Sequence, residues 1–317
     1  MVEIVMDLPE PFLTNIQNSF HQDGEAYLAV LPDLIEEARQ RWGLTDITPV
    51  EDLSYNYVAY AKRPSTAFIA KNAPHSAQGE VVLKIGAPHR ELFSEMAALR
   101  LFNGEGCVRL LEADESRGMF LLERVRPGVM LVTLEDDDQR THVAVDVMDK
   151  LWREAPTGLP LIQLTDWFAA LEDVRPTFGG GTGPFPAKLF ERVEETLPRL
   201  FAESAPPRLI HGDFHHFNIL SSGQDWIAID PKGVAGPPEY EVGPFLINPW
   251  FSLSNGTSPK VQTERRLAIL SERLGFPRRH LLDWATCFAV LSAWWDTQPD
   301  GTGGEYSLHC AELFGSL

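Results

Sequence analysis

Residues 209–240, LIHGDFHHFNILSSGQDWIAIDPKGVAGPPEY, constrain this chain more than any other stretch. Two short apolar runs, Leu209-Ile210 and Trp226-Ile227-Ala228-Ile229, lead into acids, Asp213 and Asp230 respectively, as strand ends do when they present carboxylates. Asn218 lies five residues after Asp213, and Ser221-Ser-Gly-Gln-Asp225 reads as the turn between two strands. Two carboxylates and one amide are thereby directed toward a single point.

The rest of the chain must supply the setting for that point. At 317 residues the sequence exceeds what one core usually organises, so two lobes are expected. A hydrophobic content of 44% is ample for packed cores. The formal net charge of -18 argues against a nucleic-acid backbone or an anionic membrane as partner, and would attract a cationic small molecule. Cys107, Cys287 and Cys310 are odd in number and widely spaced, which suggests neither a disulfide framework nor a cysteine zinc site. The start, MVEIVMDLPEPF, has acids where a signal peptide carries positive charge, and the run Cys287–Trp295 is too short to cross a bilayer. A cytoplasmic location is the expectation.

In chain order, residues 10 to 43 read as a helical cover, with Tyr27, Val30, Leu31, Leu34 and Ile35 at helical spacing and a stop at Gly43. Tyr55 and Tyr57, then 66–70, then 80–85, read as strands of a small antiparallel sheet. A helix follows over 89–103 through Leu92, Met96, Leu99 and Phe102, and two strands, 108–113 and 119–123, flank a turn. Beyond Pro127-Gly128 helices dominate, at roughly 138–153, 166–174, 187–201, 260–274, 278–296 and 304–315. This shift sets the lobe boundary, 1–124 against 125–317, and gives an α+β fold class with an antiparallel-sheet lobe before a mainly helical one. Phe178-Gly-Gly-Gly-Thr-Gly-Pro-Phe185 lacks a Gly-Lys-Ser/Thr ending and a preceding strand, so it reads as an interhelical loop rather than a phosphate cradle.

The spacing of Asp213 and Asn218 matches the protein-kinase catalytic-loop pattern, an Asp followed five residues later by an Asn. In such a loop the Asp orients the acceptor hydroxyl and takes its proton, while the Asn oxygen coordinates magnesium. Asp230 is placed to supply the second metal ligand, and magnesium is satisfied by such hard oxygen donors together with phosphate oxygens. Upstream, Lys84 ends the apolar strand Val81-Val82-Leu83 and would reach the nucleotide phosphates, with Glu95 holding it extended. Glu95 is preferred over Glu91 because Glu91, near the helix start, is explained as a favourable first-turn charge. The segment Glu123 to Gly128 reads as the interlobe hinge, the Glu123 carbonyl and the Val125 amide facing adenine.

These motifs, HGDFHHFNIL, IAIDPKG, PPEYEVGPFLINP, VVLKIG, GCVRLLEAD and LLERVRPG, together with the leader AYLAVLPDLIEEARQRWGL, resemble the aminoglycoside phosphotransferase family and its streptomycin-kinase and hydroxyurea-resistance-kinase branch. The resemblance covers most of the chain. It implies a bilobal protein-kinase-like fold and ATP-dependent O-phosphorylation, with Asp213 catalytic, Asn218 and Asp230 as metal ligands and Lys84 on phosphate. Two features depart from the family: Phe217 stands where glycine is common, and Ser54–Tyr57 has no glycine where the nucleotide-covering loop should lie. The acceptor implied is an aminoglycoside; another small hydroxylated metabolite is the alternative, as is a nucleotide-binding pseudokinase.

Other readings compete locally. His211, His215 and His216 beside an Asp invite a zinc hydrolase, yet His215 and His216 are adjacent and Asn218 and Lys84 would go unused. His211 is expected instead to bond the loop backbone. Lys232 reads equally well as a phosphate contact or a solvated lysine. Trp284, Phe288, Leu291 and Trp295, at 4, 3, 4 spacing, read as a core stripe rather than an aromatic substrate platform. Glu135-Asp-Asp-Asp138 reads as a helix cap facing solvent.

Overall fold

The computed structural model of the protein describes residues 8–64, 79–249 and 257–317. The leader forms helix α1, Glu10–Trp42, which Gly43 ends by taking a left-handed φ of 63°. Its buried stripe runs through Phe12, Ile16, Tyr27, Leu31, Leu34, Ala38 and Trp42, while Val30, expected on the same face, is exposed. The helix is not continuous: His21 breaks it at φ 47°, ψ -122°.

Next come β1 (Thr45–Pro49), β2 (Tyr57–Lys62), β3 (Glu80–Ile85), α2 (Arg90–Phe102), β4 (Leu110–Asp114) and β5 (Met119–Glu123). They build an antiparallel sheet in the order β1-β2-β3-β5-β4. The expected strand at 66–70 falls outside the described residues. Strand alternation gives each sheet face its own partner. Val81, Leu83 and Ile85 of β3, with Met119 and Leu121 of β5, join the apolar cluster that includes α1. Phe120 and Leu122 turn the other way, into a larger cluster shared by α2 and the helical half. Lys84, alternating with Leu83 and Ile85, therefore points away from the leader.

The helical half begins with β6 (Pro127–Met130) and α3 (Asp137–Leu151), followed by α4 (Ala187–Glu203). Asp136 caps α3, its Oδ1 accepting the Asp138 and Gln139 amide N–H groups at 2.8 and 3.1 Å. The neighbouring acids do more than face solvent. Asp137 is gripped by Arg266 at 2.6 and 2.8 Å, and Asp138 pairs with Arg265, fastening α3 to helix α5 (Pro259–Leu274). Between α4 and α5 lie β7 (Arg208–Ile210), β8 (Ile219–Ser222), β9 (Asp225–Ala228) and β10 (Val234–Gly236). Helices α6 (Arg278–Asp296) and α7 (Glu305–Ser316) complete the chain, with α6 buried on nearly every side. The expected helix at 166–174 is instead three short turns spanning 164–177, and the glycine run 178–185 is the connection into α4. Among the described residues no helix is long and apolar enough to cross a membrane, and the three cysteines are buried free thiols.

Candidate active site

Strand β7 delivers the chain to His211, where it turns at Gly212, φ 91°. A Cβ at Gly212 would stand 2.5 Å from the Val234 side chain, so the turn requires glycine on both counts. Two devices fix the loop. Glu241, fully buried, accepts the His211 and Gly212 N–H groups at 3.1 and 2.8 Å. The His211 ring lies 2.8 Å from the Ile229 carbonyl through Nε2 and accepts the Asp213 N–H at Nδ1, 3.2 Å. That pairing requires the neutral ring protonated on Nε2, and burial lowers its pKa to about 4. Burial likewise raises the Glu241 carboxyl to about 8, its two backbone donors opposing.

The hairpin β8–β9 brings the remaining polar groups alongside. Ile219 pairs with Ala228, and the Ile229 N–H donates to the Asn218 carbonyl at 2.9 Å, so Asp230 emerges next to Asn218. Register thus converts a separation of twelve residues into adjacency. Asn218 Nδ2 donates to the Asp213 carbonyl at 3.0 Å and lies 3.5 Å from its carboxylate. Asp230 holds φ 58°, a left-handed conformation uncommon outside glycine and frequent at functional sites. Phe217 is not among the residues with positive φ, so the loop needs no glycine there.

Lys84 arrives from the sheet. Its ammonium bonds both Glu95 oxygens, at 2.7 and 2.8 Å, and also Asp230. Lys84 and Glu95 are each 5% exposed. Desolvation disfavours the Lys84 charge, but Asp230 and Glu95 outweigh it and raise its pKa. Lys232 lies 3.5 Å from the other Asp230 oxygen, and the Asp230 charge raises its pKa in turn. For Asp230 burial acts upward, yet Lys232 and Lys84 hold the carboxyl far below the usual range. Asp213 behaves similarly: burial is outweighed by the His215 hydrogen bond and by nearby positive charge, leaving its pKa at about 2. Glu123 and Val125 do not join this cluster. Phe120 is the β5 residue opposite Lys84, and Glu123 lies three positions further, roughly 10 Å along the strand. The Glu123 N–H donates to the Arg109 carbonyl at 3.0 Å.

Asp213 opens on a cavity of about 1010 Å³. Its lining includes Glu91, Glu95, Asp213, Asp296 and Glu305, with Lys232 as a cation among them. Trp167 and Trp295 meet edge to face in its wall, ring centroids 5.3 Å apart. The expected core stripe therefore divides. Trp284 and Leu291 are fully buried, but Phe288 lines the cavity and Trp295 is 47% exposed in its wall, because the last turn of α6 emerges from the core. Sequence reasoning also missed Glu241 and Ser94. The Ser94 hydroxyl, on α2, donates to the Gly233 carbonyl at 2.5 Å and accepts the Ile162 N–H at 3.1 Å, joining the sheet half to the helical half. Only the position of Ser94, next to Glu95, could have drawn attention to it.

Among the described residues no three His, Cys, Asp or Glu side chains gather as a metal site. His211 has both ring nitrogens engaged, and His216 is buried against Phe245, centroids 4.3 Å apart, so the histidines do not form a zinc centre. Asn218 and Asp230 instead suit a hard cation completed by phosphate oxygens: with its nitrogen on Asp213, the Asn218 side chain has its oxygen to offer, and Asp230 follows on the neighbouring strand.

A lysine-bearing antiparallel sheet set over a helical half that carries the carboxylates is the architecture of protein-kinase-like phosphotransferases, and this chain is one of them. It belongs to the aminoglycoside/hydroxyurea antibiotic resistance kinase family, whose model matches residues 69–301. It is 29% identical to a streptomycin 6-kinase of Streptomyces glaucescens, over 94% of this chain and 93% of that one. It is 30% identical to a hydroxyurea phosphotransferase of Kitasatospora aureofaciens, over 87% of this chain and 76% of that one. In fold it resembles a choline kinase from Streptococcus pneumoniae, with a TM-score of 0.59 at 14% identity, covering 91% of this chain and all of the other.

Proposed function

We propose that the protein transfers the γ-phosphoryl group of ATP to a hydroxyl of a cationic small molecule, a streptomycin-type aminoglycoside, with the nucleotide between lobes 1–124 and 125–317. The observation that carries this reading is the acid-lined cavity opening on Asp213, next to the Lys84–Asp230 cluster. Lys84, held extended by Glu95, binds the α- and β-phosphates, and the backbone of Glu123 and Val125 meets adenine. Asn218 and Asp230 would hold magnesium, whose charge, when bound, offsets that of the phosphates.

The acceptor oxygen bonds to the γ-phosphorus, the bond from that phosphorus to the bridging oxygen breaks, ADP leaves, and the hydroxyl proton passes to Asp213. A carboxyl at about 2 is ionised at neutral pH but is a weak base. It suits a loose transition state, in which the hydroxyl needs orienting more than early deprotonation. Lys232, beside both Asp230 and the cavity, adds positive charge where the phosphoryl group moves.

The cavity volume favours a large acceptor, since about 1010 Å³ is at the upper end of small-molecule sites. The hydroxyurea phosphotransferase, as similar in sequence as the streptomycin kinase, keeps a second reading in view, a smaller hydroxylated acceptor. The test is ADP release across a panel of aminoglycosides and small hydroxylated metabolites. Asp213→Asn should lower turnover by roughly 10² to 10⁴-fold while calorimetry shows nucleotide affinity retained. Unchanged turnover would refute the role of Asp213, and ATP binding without turnover on any acceptor would favour a pseudokinase.

A further inference from the structure

We infer that the N-terminal leader is part of the acceptor site and that Phe20 is a specificity-determining residue in it; this rests on the kinase reading above. The leader precedes the residues matched by the family model, which begin at 69, and its other contacts mark it as a cover for the sheet. Phe12 and Ile16 are buried in the sheet-side cluster, as a cover requires. Ser19 and Phe20 line the cavity that holds Asp213, Phe20 lying at the edge of the same cluster and only partly buried by it.

The backbone explains the change of direction. His21 breaks the helix at φ 47°, ψ -122°, a conformation that a residue with a side chain holds only where its surroundings enforce it. Beyond the break the chain folds back closely on what precedes it, so that a Cβ on Gly24 would stand 2.5 Å from the Ile16 carbonyl oxygen. The Phe20 ring is thereby set edge-on against His89, centroids 4.9 Å apart, at the head of α2. Glu91 and Glu95, on that same helix, also line the cavity.

The ligand class follows from the combination. Aromatic faces from Phe20, Trp167 and Trp295 stand among the carboxylates of Glu91, Asp296 and Glu305, a wall suited to a cation built on saturated rings. Phe20 is half-buried and also packs against the edge of the sheet-side cluster, so its truncation removes contact area from the cavity and some packing from that edge.

The test uses streptomycin as probe, with calorimetric binding and ADP release measured for the full chain and for Phe20→Ala. The streptomycin dissociation constant and KM should rise on the order of ten-fold, with the KM for ATP unchanged and the melting temperature lowered only slightly, and Phe20→Trp should restore affinity. Equal streptomycin affinity in wild type and Phe20→Ala would overturn the inference. So would a parallel rise in the KM for ATP with a fall in melting temperature, which would mark Phe20 as structural only. Wild-type protein that binds streptomycin without releasing ADP would refute streptomycin as the phosphorylated acceptor while leaving the comparison of affinities intact. Wild type that does not bind streptomycin at all would overturn the inference as stated for this class of cation.

Discussion

His211 carries the Asp213 backbone on a ring nitrogen that has no proton, and this makes the loop sensitive to acid. Protonation would set an N–H against the Asp213 N–H. With a folded pKa of about 4 against an ordinary 6.5, the folded chain binds fewer protons than the unfolded one across that interval. The stabilisation is complete above the unfolded value and is lost as pH falls through the folded one, about 3 kcal/mol in all for this residue. Denaturant unfolding at neutral pH and near pH 4 should show a shallower loss in His211→Asn than in wild type; equal losses would exclude His211 as the source. The groups around this ring differ in how far the sequence reveals them. Asp213, Asn218 and Asp230 are legible because a strand, a turn and a second strand lie within one short stretch. Lys84 and Glu95 are legible because one ends an apolar strand and the other sits inside the next helix. Glu241 is not, since nothing in PPEYEVGPF tells a buried carboxylate serving backbone N–H groups thirty residues upstream from an exposed one. Trp295 misleads because helical spacing does not say where a helix leaves the core.

Five of the expected helices with an apolar face are present. The helices expected at 138–153, 187–201, 260–274, 278–296 and 304–315 appear with ends shifted by at most two residues. Strand β1 was missed because every residue but one in it is exposed, Asp46 interrupts it at φ 52°, and Pro49 closes it, leaving no alternation to read. The break at His21 was equally hidden, since the one glycine beside it, Gly24, lies within an otherwise helical pattern. At this scale the contact between α2 and the segment after Asp230 governs alignment. A Cβ on Gly233 would stand 2.3 Å from the Ser94 carbonyl oxygen, and the Ser94 hydroxyl bridges Gly233 and Ile162. Ser94→Ala should cost about 1–3 kcal/mol and, because Glu95 is the next residue, raise the KM for ATP. Melting temperature and nucleotide titration together check this, and a purely thermal effect would limit Ser94 to stability.

For the whole molecule, charge and packing act together. A net charge of -18 surrounds a cavity that itself carries five carboxylates and one lysine. Attraction of a cationic acceptor over such distances is screened by salt, the Debye length falling from about 10 Å at 0.1 M to about 3 Å at 1 M. The KM for a cationic acceptor should therefore rise several-fold over that range while that for a neutral one stays level; parallel behaviour would exclude steering by this field. Packing sets a different property. The apolar side chains of α2, Leu92, Met96, Leu99 and Phe102, belong to one core with Phe214 and Ile219 of the Asp213 segment, while the leader packs on the far face of the sheet. A helix anchored in that way carries Glu95 with the core: any displacement of α2 would have to break the packing that also holds the Asp213 segment.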